Sequence, residues 1–417
     1  MSSELTNLTL CFQRPSARLV SQDKAVLAAT SLPHHLPPNS VLIRVDRFGF
    51  SANNVTYQAL GEQPHFRYYD FHPAPEAKNV SPKTHGVVPV WGFGTIVTSS
   101  HPKIVPGERV YGYFAPTRYL LVPVSPSDVN KHAFYVPRPH LPADRRPYNQ
   151  IIRCAADPEY TPTALGEDLT MLYRPLFWTA YWFEDWIFSL GYRAATAFLI
   201  SSASAKTAFC AAYLIGKRRS RGESNVKIVG LTSKRNVAFT KGLTLYDEVL
   251  EYDAFNTALG REKWVYVDVA GNDDFNKRLF EHFRSPNTTS GELVASVALG
   301  MTTLSPASEK ASSLDWSTNT FSASVSSQVP ELEQFFMPEW LNVRKHQLPL
   351  HEIFRRQKEA WAELMVDCIP WVRLEHVFGG DEVKKAYDKI ASSGFSPDVG
   401  FIWSLWDAKA VNAKTKL

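Results

Sequence analysis

With 417 residues, 44% apolar and 21% charged side chains, the chain can bury a large core, which excludes wholesale disorder. At about 150 residues per domain, this length predicts two or three domains. Lys plus Arg number 45 against 41 Asp plus Glu, a small and dispersed excess that gives no reason to expect a nucleic-acid or membrane partner.

Cys11, Cys154, Cys210 and Cys368 lie far apart with no C-x-x-C pair, which leaves no zinc ribbon or dithiol redox motif. Met1 to Asn7 has no basic segment leading into an apolar run, so a signal peptide is not expected there. The most apolar stretch, Leu176 to Ile200, is broken by Glu184, Asp185 and Arg193, which a membrane span would have to bury. A cytoplasmic protein is the expectation. Aromatic residues make up 13% of the chain, suited to wide cores or to a flat organic ligand.

In chain order, Val41–Asp46, Gly92–Ser99, Arg109–Tyr113 and Tyr119–Val124 read as strands, with a Pro106-Gly107 turn between the second and third. Pro137–Pro162 reads as a Pro-rich linker or surface excursion, and an aromatic helix is predicted from Pro175 to about Leu190. Alternation follows: strand Ala197–Ile200, helix Lys206–Gly216, strand Val226–Leu231, helix Asn236–Gly242, then strands Glu248–Tyr252, Trp264–Val269 and Val294–Leu299. That spacing predicts βαβ units and a doubly wound parallel sheet. Ser305–Ser327 reads as a loop, and helices Leu350–Val366 and Asp381–Ala391 precede a last strand, Val399–Leu405. A nucleotide-binding domain inserted into a β-barrel domain would give this order.

The strongest local signal is Leu199 to Ala208, a strand running through small residues into a helix. Ser202, Ala203 and Ser204 would let a backbone approach phosphate oxygens, with Lys206 and Thr207 at the helix start. A packing joint would need the same small residues. A phosphate loop ending in Lys206-Thr207 is disfavoured, since Ile200 and Ala205 stand where its glycines belong. After the next strand come Ser233, Lys234, Arg235 and Asn236, with no acid between Lys227 and Tyr246. Basic groups there suit the 2′-phosphate of NADP(H), whereas NAD sites carry an acid. Gly271 and Asn272, closing Val-Tyr-Val-Asp-Val-Ala-Gly-Asn, form a third candidate edge, and Gly300-Met301-Thr302 a similar one. No H-E-x-x-H spacing occurs among the twelve histidines and no G-x-S-x-G elbow is present, so no metal is expected. Lys217-Arg218-Arg219 and Arg221 read as a solvated helix end.

These segments resemble the medium-chain dehydrogenase/reductase superfamily, on its zinc-free quinone-reductase and enoyl-reductase side. Asn39–Val45 with Gly49–Asn54 looks like its first strand and cleft-facing segment. Pro89–Gly94 with Val105–Gly112 looks like its barrel signature, and Thr179-Ala180-Tyr181 like the helix entering its cofactor domain. Ser-Ser-Ala-Ser and Val-Asp-Val-Ala-Gly-Asn are closer still to a branch known only as a domain of unknown function. The resemblance implies a GroES-like β-barrel domain (1–170 and 368–417) enclosing a Rossmann-like cofactor domain (171–367). It also puts Ser51 where the zinc-binding Cys would stand and Phe93-Gly94 where a His-Glu pair would stand. Ala203 to Ala208 replaces the A-S-G-G-V-G turn without its glycines, and Gln63 stands where enoyl reductases carry a proton-donating Tyr.

Near the implied cleft remain Ser51, Asn54 and Tyr57. If the segment is helical, Asn54 and Tyr57 share a face, Tyr57 to deliver a proton and Asn54 to orient a carbonyl. The resulting expectation is a zinc-independent, NADPH-dependent reductase of a conjugated carbonyl or quinone-like small molecule, with a homodimer left open. Its rivals are a non-redox lyase, isomerase or hydrolase that has lost the dinucleotide, and a retired enzyme serving as a binding module.

Overall fold

The computed structural model describes residues 6–17, 25–64, 66–285, 290–300 and 332–408, without the side chains of Ala143 and Asp144. The readings on the first five residues, on Met301-Thr302 and on Ser305–Ser327 lie outside the described residues. The chain divides into two compact units, Met1–Leu172 with Arg355–Leu417, and Tyr173–Phe354.

The first unit is built on a mixed, barrel-like sheet. Its long strand Ser40–Phe50 pairs antiparallel with Val90–Ser99, Tyr119–Pro123 and Val399–Ser404. Val90–Ser99 continues to Arg109–Phe114, and from there to Gln150–Arg153 and Ala133–Tyr135. The C-terminal strand Val399–Ser404 also takes a parallel partner, Arg373–Phe378. Glycines allow a close strand approach in this sheet: a Cβ at Gly92 would meet the Arg47 carbonyl at 2.8 Å, and one at Gly94 the Arg44 carbonyl at 2.7 Å. Both glycines face the part of Ser40–Phe50 where the register shifts, so the backbone approach there requires them.

Two expectations need correction in this unit. The Pro137–Pro162 stretch is not only a linker, because Gln150–Arg153 within it joins the sheet. Its two isoleucines are too few to show a strand period. The predicted helix begins at Ala164, eleven residues before Pro175, and runs to Ser189. Pro175 sits inside it, removing one helical hydrogen bond without ending the helix. Glu167 and Asp168 in its first turns anchor a buried ion network: Arg47 reaches Glu167 at 2.9 Å and Asp168 at 2.7 Å, and Arg109 donates to Glu167 at 2.8 Å. Strands Thr6–Gln13, Ala25–Ser31 and Arg373–Phe378 were not legible in the sequence.

Among the described residues the second unit carries six parallel strands: Ala197–Ile200, Lys227–Thr232, Glu248–Glu251, Glu262–Asp268, Gly291–Ala298 and Leu332–Gln334. Numbered along the chain, they lie in the order 3-2-1-4-5-6, the doubly wound arrangement whose strand order reverses between the first and fourth strands. The central strands are buried on both faces, which explains their near-continuous apolar runs. Leu199, Leu231, Trp264, Tyr266, Phe275 and Leu279 belong to one core cluster of this unit. The helix Asp273–Arg284 was missed, although Phe275, Leu279 and Phe280 carry its buried face. The basic helix end is ion-paired, Arg218 with Glu184 and Glu223, and Arg219 with Asp247.

Candidate functional site

The strand-order reversal places the end of Ala197–Ile200 beside the end of Glu262–Asp268, and a buried polar network joins them. Ser201 Oγ donates to Asp268 Oδ1 at 2.9 Å and accepts from the Val269 and Ala270 N–H groups at 2.9 and 3.0 Å. Asp268 also accepts from Gly271 N–H at 2.9 Å and Asn276 Nδ2 at 2.6 Å. Burial pushes the Asp268 carboxyl up, against the pull of the groups that bond it. Gly271, in a left-handed conformation (φ +61°), turns the chain into the helix that Asn272 caps by accepting Phe275 N–H at 3.1 Å. Asn272 is thus committed to its own helix.

The small-residue turn follows Ser201. Ser202 adopts φ +51°, and its N–H donates to Tyr252 Oη at 2.7 Å. Ala203 N–H donates to the Leu231 carbonyl at 2.9 Å, and the Ala203 carbonyl accepts from Tyr246 Oη at 2.9 Å. Gly230 underlies this joint: a Cβ there would stand 2.8 Å from Ala203 Cβ and 2.9 Å from the Tyr246 ring. The helix Lys206–Ser220 then starts behind Ala205, which offers no capping side chain. The first N–H groups of a helix have no intrahelical partner, so this start is suited to an anion. Lys206 and Thr207 are half-buried there.

The end of the second strand meets the same turn. Asn236 Nδ2 donates to Ser204 Oγ at 3.0 Å, linking the two loops. Lys234 and Arg235 are exposed, and Ser233 Oγ, shielded from solvent, has no hydrogen-bond partner among the described residues. Of the expected cofactor residues, Ser202, Ala203 and Ser204 lie in one loop and Ser233, Lys234, Arg235 and Asn236 in another, joined by the Asn236–Ser204 bond, and Lys206 and Thr207 open the helix after the first. Sequence reasoning missed Ser201, Asp268, Tyr246 and Tyr252. A lone Asp inside the apolar strand Val-Tyr-Val-Asp-Val was the available signal.

In the first unit, Ser51 precedes a helix, Ala52–Ala59, as the spacing argument required. Asn54 Oδ1 accepts Ser51 N–H at 2.9 Å and its Nδ2 donates to the Pro89 carbonyl at 3.0 Å. Both ends of that amide hold backbone. Tyr57 takes its partner four residues back instead, Oη accepting from Asn53 Nδ2 at 2.7 Å. Burial, with the Tyr148 phenol, pushes the Tyr57 hydroxyl well above its ordinary range, so it stays protonated at neutral pH. Phe93, where a metal-binding pair was counted, is a buried ring packed on Tyr111 and Tyr160. Among the described residues no group of three His, Cys, Asp or Glu side chains is placed to hold a metal.

The family described as "Protein of unknown function (DUF2855)" matches residues 48–396. No curated protein matches the chain. Among solved structures, CurA from Vibrio vulnificus in complex with NADPH is 10% identical with a TM-score of 0.53, over 96% of this chain and 99% of that one. A mutant of Etr1p in complex with NADP and crotonyl-CoA is 14% identical with a TM-score of 0.53, over the same shares. A thermostable alcohol dehydrogenase from Pyrobaculum aerophilum is 12% identical with a TM-score of 0.51, over 96% of this chain and all of that one. These likenesses identify the fold as that of the medium-chain dehydrogenases and reductases, a barrel-like domain with a Rossmann-like domain.

Proposed function

We propose that this chain, which belongs to the DUF2855 family, is a zinc-independent, NADPH-dependent reductase of a conjugated carbonyl or quinone-like small molecule. The carrying observation is the uncapped start of helix Lys206–Ser220 at the strand-order reversal, bonded through Ser204 and Asn236 to an acid-free Ser-Lys-Arg turn. The residues fit a dinucleotide on one further point: the orphaned Ser233 Oγ is a donor placed beside Lys234 and Arg235.

NADPH, when bound, would supply the hydride. The helix start with Lys206 and Thr207 would hold the pyrophosphate, and Ser233, Lys234 and Arg235 the 2′-phosphate. Tyr57 would give the proton, since burial keeps it protonated and Asn53 steadies its oxygen. Ser51, in place of a metal-binding cysteine, is the basis for zinc independence.

One observation favours a second reading, a non-redox enzyme on the same fold: Tyr252 and Tyr246 already bond the backbone of the glycine-free turn. Fluorescence titration with NADPH and NADH separates the two. Saturable NADPH binding, tighter than NADH, is expected; no binding at millimolar cofactor overturns the reductase reading.

A further inference from the structure

The end of strand Glu262–Asp268 buries a carboxyl that the reaction proposed above does not use. Asp268 is fully buried, and its hydrogen-bond donors are all neutral. Ser201 Oγ and Gly271 N–H donate to Oδ1, each at 2.9 Å, and Asn276 Nδ2 to Oδ2 at 2.6 Å. No cation, Lys206 included, pairs with it among the described residues. A buried carboxylate is as a rule paired, because leaving water penalises its charge. The elements around it supply no counter-charge. Tyr266 of its own strand and Tyr252, just beyond Glu248–Glu251, bring phenols. The neighbouring strands Ala197–Ile200 and Gly291–Ala298 end in uncharged residues. In the helix Asp273–Arg284, Asp273 and Asp274 add negative charge, while Lys277 and Arg278 are exposed and Arg278 pairs with Asp253.

The same carboxyl joins both edges of the crevice at the strand-order reversal. Through Ser201 it grips the start of the small-residue turn, through Gly271 the left-handed step after its own strand, and through Asn276 the helix that follows. Its backbone carbonyl accepts from Leu299 and Gly300 N–H at 2.7 and 3.2 Å, which ties in the end of the next strand. Two of its three side-chain partners can only donate to it. Ser201 Oγ already accepts from Val269 and Ala270 N–H, so its one proton is left for Oδ1, and Gly271 N–H has no acceptor to offer. Asn276 differs, because its amide stands between Asp268 Oδ2 and Tyr266 Oη, which donates to Asn276 Oδ1 at 2.7 Å. Turned over, that amide offers its oxygen to a proton on Asp268 Oδ2 and its N–H to the lone pairs of the phenol. The carboxyl therefore has a place for a proton without losing a partner.

We propose that Asp268 is the positioning residue of this crevice and that its carboxyl takes up a proton when an anionic dinucleotide binds there. Three donors favour the anion and burial favours the neutral acid, so the balance is open to a nearby charge. Phosphates held at the helix start beyond the Ser201 turn add negative charge and tip that balance toward the acid. The proton comes from solvent to Oδ2 and the Asn276 amide turns over. Ser201 and Gly271 keep their bonds, so the two loops stay in place while the charge is removed. The uptake rests on the reductase reading for its dinucleotide; the titration of Asp268 in the protein alone does not.

The test compares the full chain with Asp268→Asn, which keeps the shape of the neutral acid. Without cofactor, the melting temperature is followed across pH. Burial holds the folded carboxyl above its unfolded value near ~3.9, so its stabilisation is full below that value and is lost as pH rises through the folded one. Asp268→Asn should lack that loss. Tyr266→Phe, which frees the Asn276 amide to turn, should move it to higher pH. Calorimetric titration with NADPH and NADH, in two buffers of different ionisation enthalpy, counts the protons taken up. The unsubstituted chain should take up a fraction of a proton more than Asp268→Asn with either dinucleotide. As pH rises, its affinity should fall against the variant's by up to about tenfold per pH unit. The NADH arm is free of the 2′-phosphate, which itself titrates near ~6. Equal uptake in the two proteins would overturn the proposal, as would weaker binding by Asp268→Asn at every pH, the mark of a purely structural carboxyl. If Asp268→Asn does not fold, an unmoved loss in Tyr266→Phe overturns it instead. If neither dinucleotide binds, the reductase reading falls and the uptake with it, while the melts still decide whether Asp268 titrates. Binding without a difference in uptake leaves the reductase reading and removes this one.

Discussion

Gly230→Ala tests how tightly the turn after the first strand is set. The new Cβ would stand 2.8 Å from Ala203 Cβ and 2.9 Å from a Tyr246 ring carbon. A relaxed carbon pair sits at about 3.5–4.0 Å, so one side must give by roughly 0.7–1.2 Å. Neither side is a flexible side-chain end: Ala203 is bonded through its N–H to Leu231, and Tyr246 is bonded to the Ala203 carbonyl. Overpacking of this kind costs about 1–3 kcal/mol, or roughly 2–12 °C in Tm for a unit of this size. Because the strain falls on the turn that would hold the pyrophosphate, NADPH affinity should fall as well, about tenfold or more. Thermal melts and NADPH titration of Gly230→Ala measure both. Adding Ala203→Gly removes one of the two contacts and should recover part of each loss. A Gly230→Ala protein as stable as the parent, with unchanged NADPH affinity, would refute the reasoning.

Lys206→Ala should weaken NADPH and NADH alike by about 1.5–3 kcal/mol, since the pyrophosphate is common to both; equal affinity in the variant would make Lys206 a surface charge. Arg235→Ala should weaken NADPH selectively, and the NADPH/NADH affinity ratio reads it directly. Burial alone would raise the Glu167 carboxyl, but Arg109 and then Arg47 outweigh it and hold it below its ordinary value. Its stabilisation is therefore full above the unfolded carboxylate range near ~4.3 and is lost as pH falls through the lower folded value. Glu167→Gln should cost about 3–5 kcal/mol at neutral pH and flatten the acid limb of a Tm-against-pH curve. Tyr252→Phe should cost about 1–3 kcal/mol by orphaning Ser202 N–H, checked by denaturant unfolding.

How much of this was legible follows from where the signals are local. The parallel strands announce themselves because burial on both faces makes them short apolar runs, as in Ala197–Ile200. In the first unit the long strands Ser40–Phe50 and Val90–Ser99 were legible, whereas Gln150–Arg153 was lost because two isoleucines carry the whole element. The helix Ala164–Ser189 was misjudged because Pro175 reads as a start signal, whereas a long helix absorbs one missing bond. The two loops proposed to hold a cofactor could be picked out as segments because each is contiguous. The tyrosines that brace them could not, since Tyr246 and Tyr252 reach the turn only through the sheet order. Asn53 was passed over for Asn54 because a three-residue spacing and a four-residue spacing share a helix face, and only the fold decides which amide the backbone claims.

The missing glycines look different once those braces are counted. A glycine turn gains its shape from conformational freedom, at the cost of entropy on folding. This chain places Ser202 in a left-handed conformation, which costs a non-glycine residue of order 1–3 kcal/mol unless its surroundings over-determine it. Tyr252 on the Ser202 N–H, Tyr246 on the Ala203 carbonyl and Ser201 on two N–H groups of the neighbouring strand supply that determination. At about 0.5–1.5 kcal/mol per bond, four such bonds are of a size to offset the strain. The turn is thus held by the side chains of Tyr246 and Tyr252, by Ser201 at its start and by the backbone bond from Ala203 N–H to the Leu231 carbonyl. Ligand access then depends on the helix start at Lys206, which those braces leave uncovered by any cap. Glycine restored at Ala205 alone should therefore loosen the turn without improving cofactor affinity, because Ala205 is not among the braced residues and its N–H is already given to the Ser202 carbonyl. A tighter NADPH complex in Ala205→Gly, measured by the same titration, would show that backbone approach and not bracing limits the site.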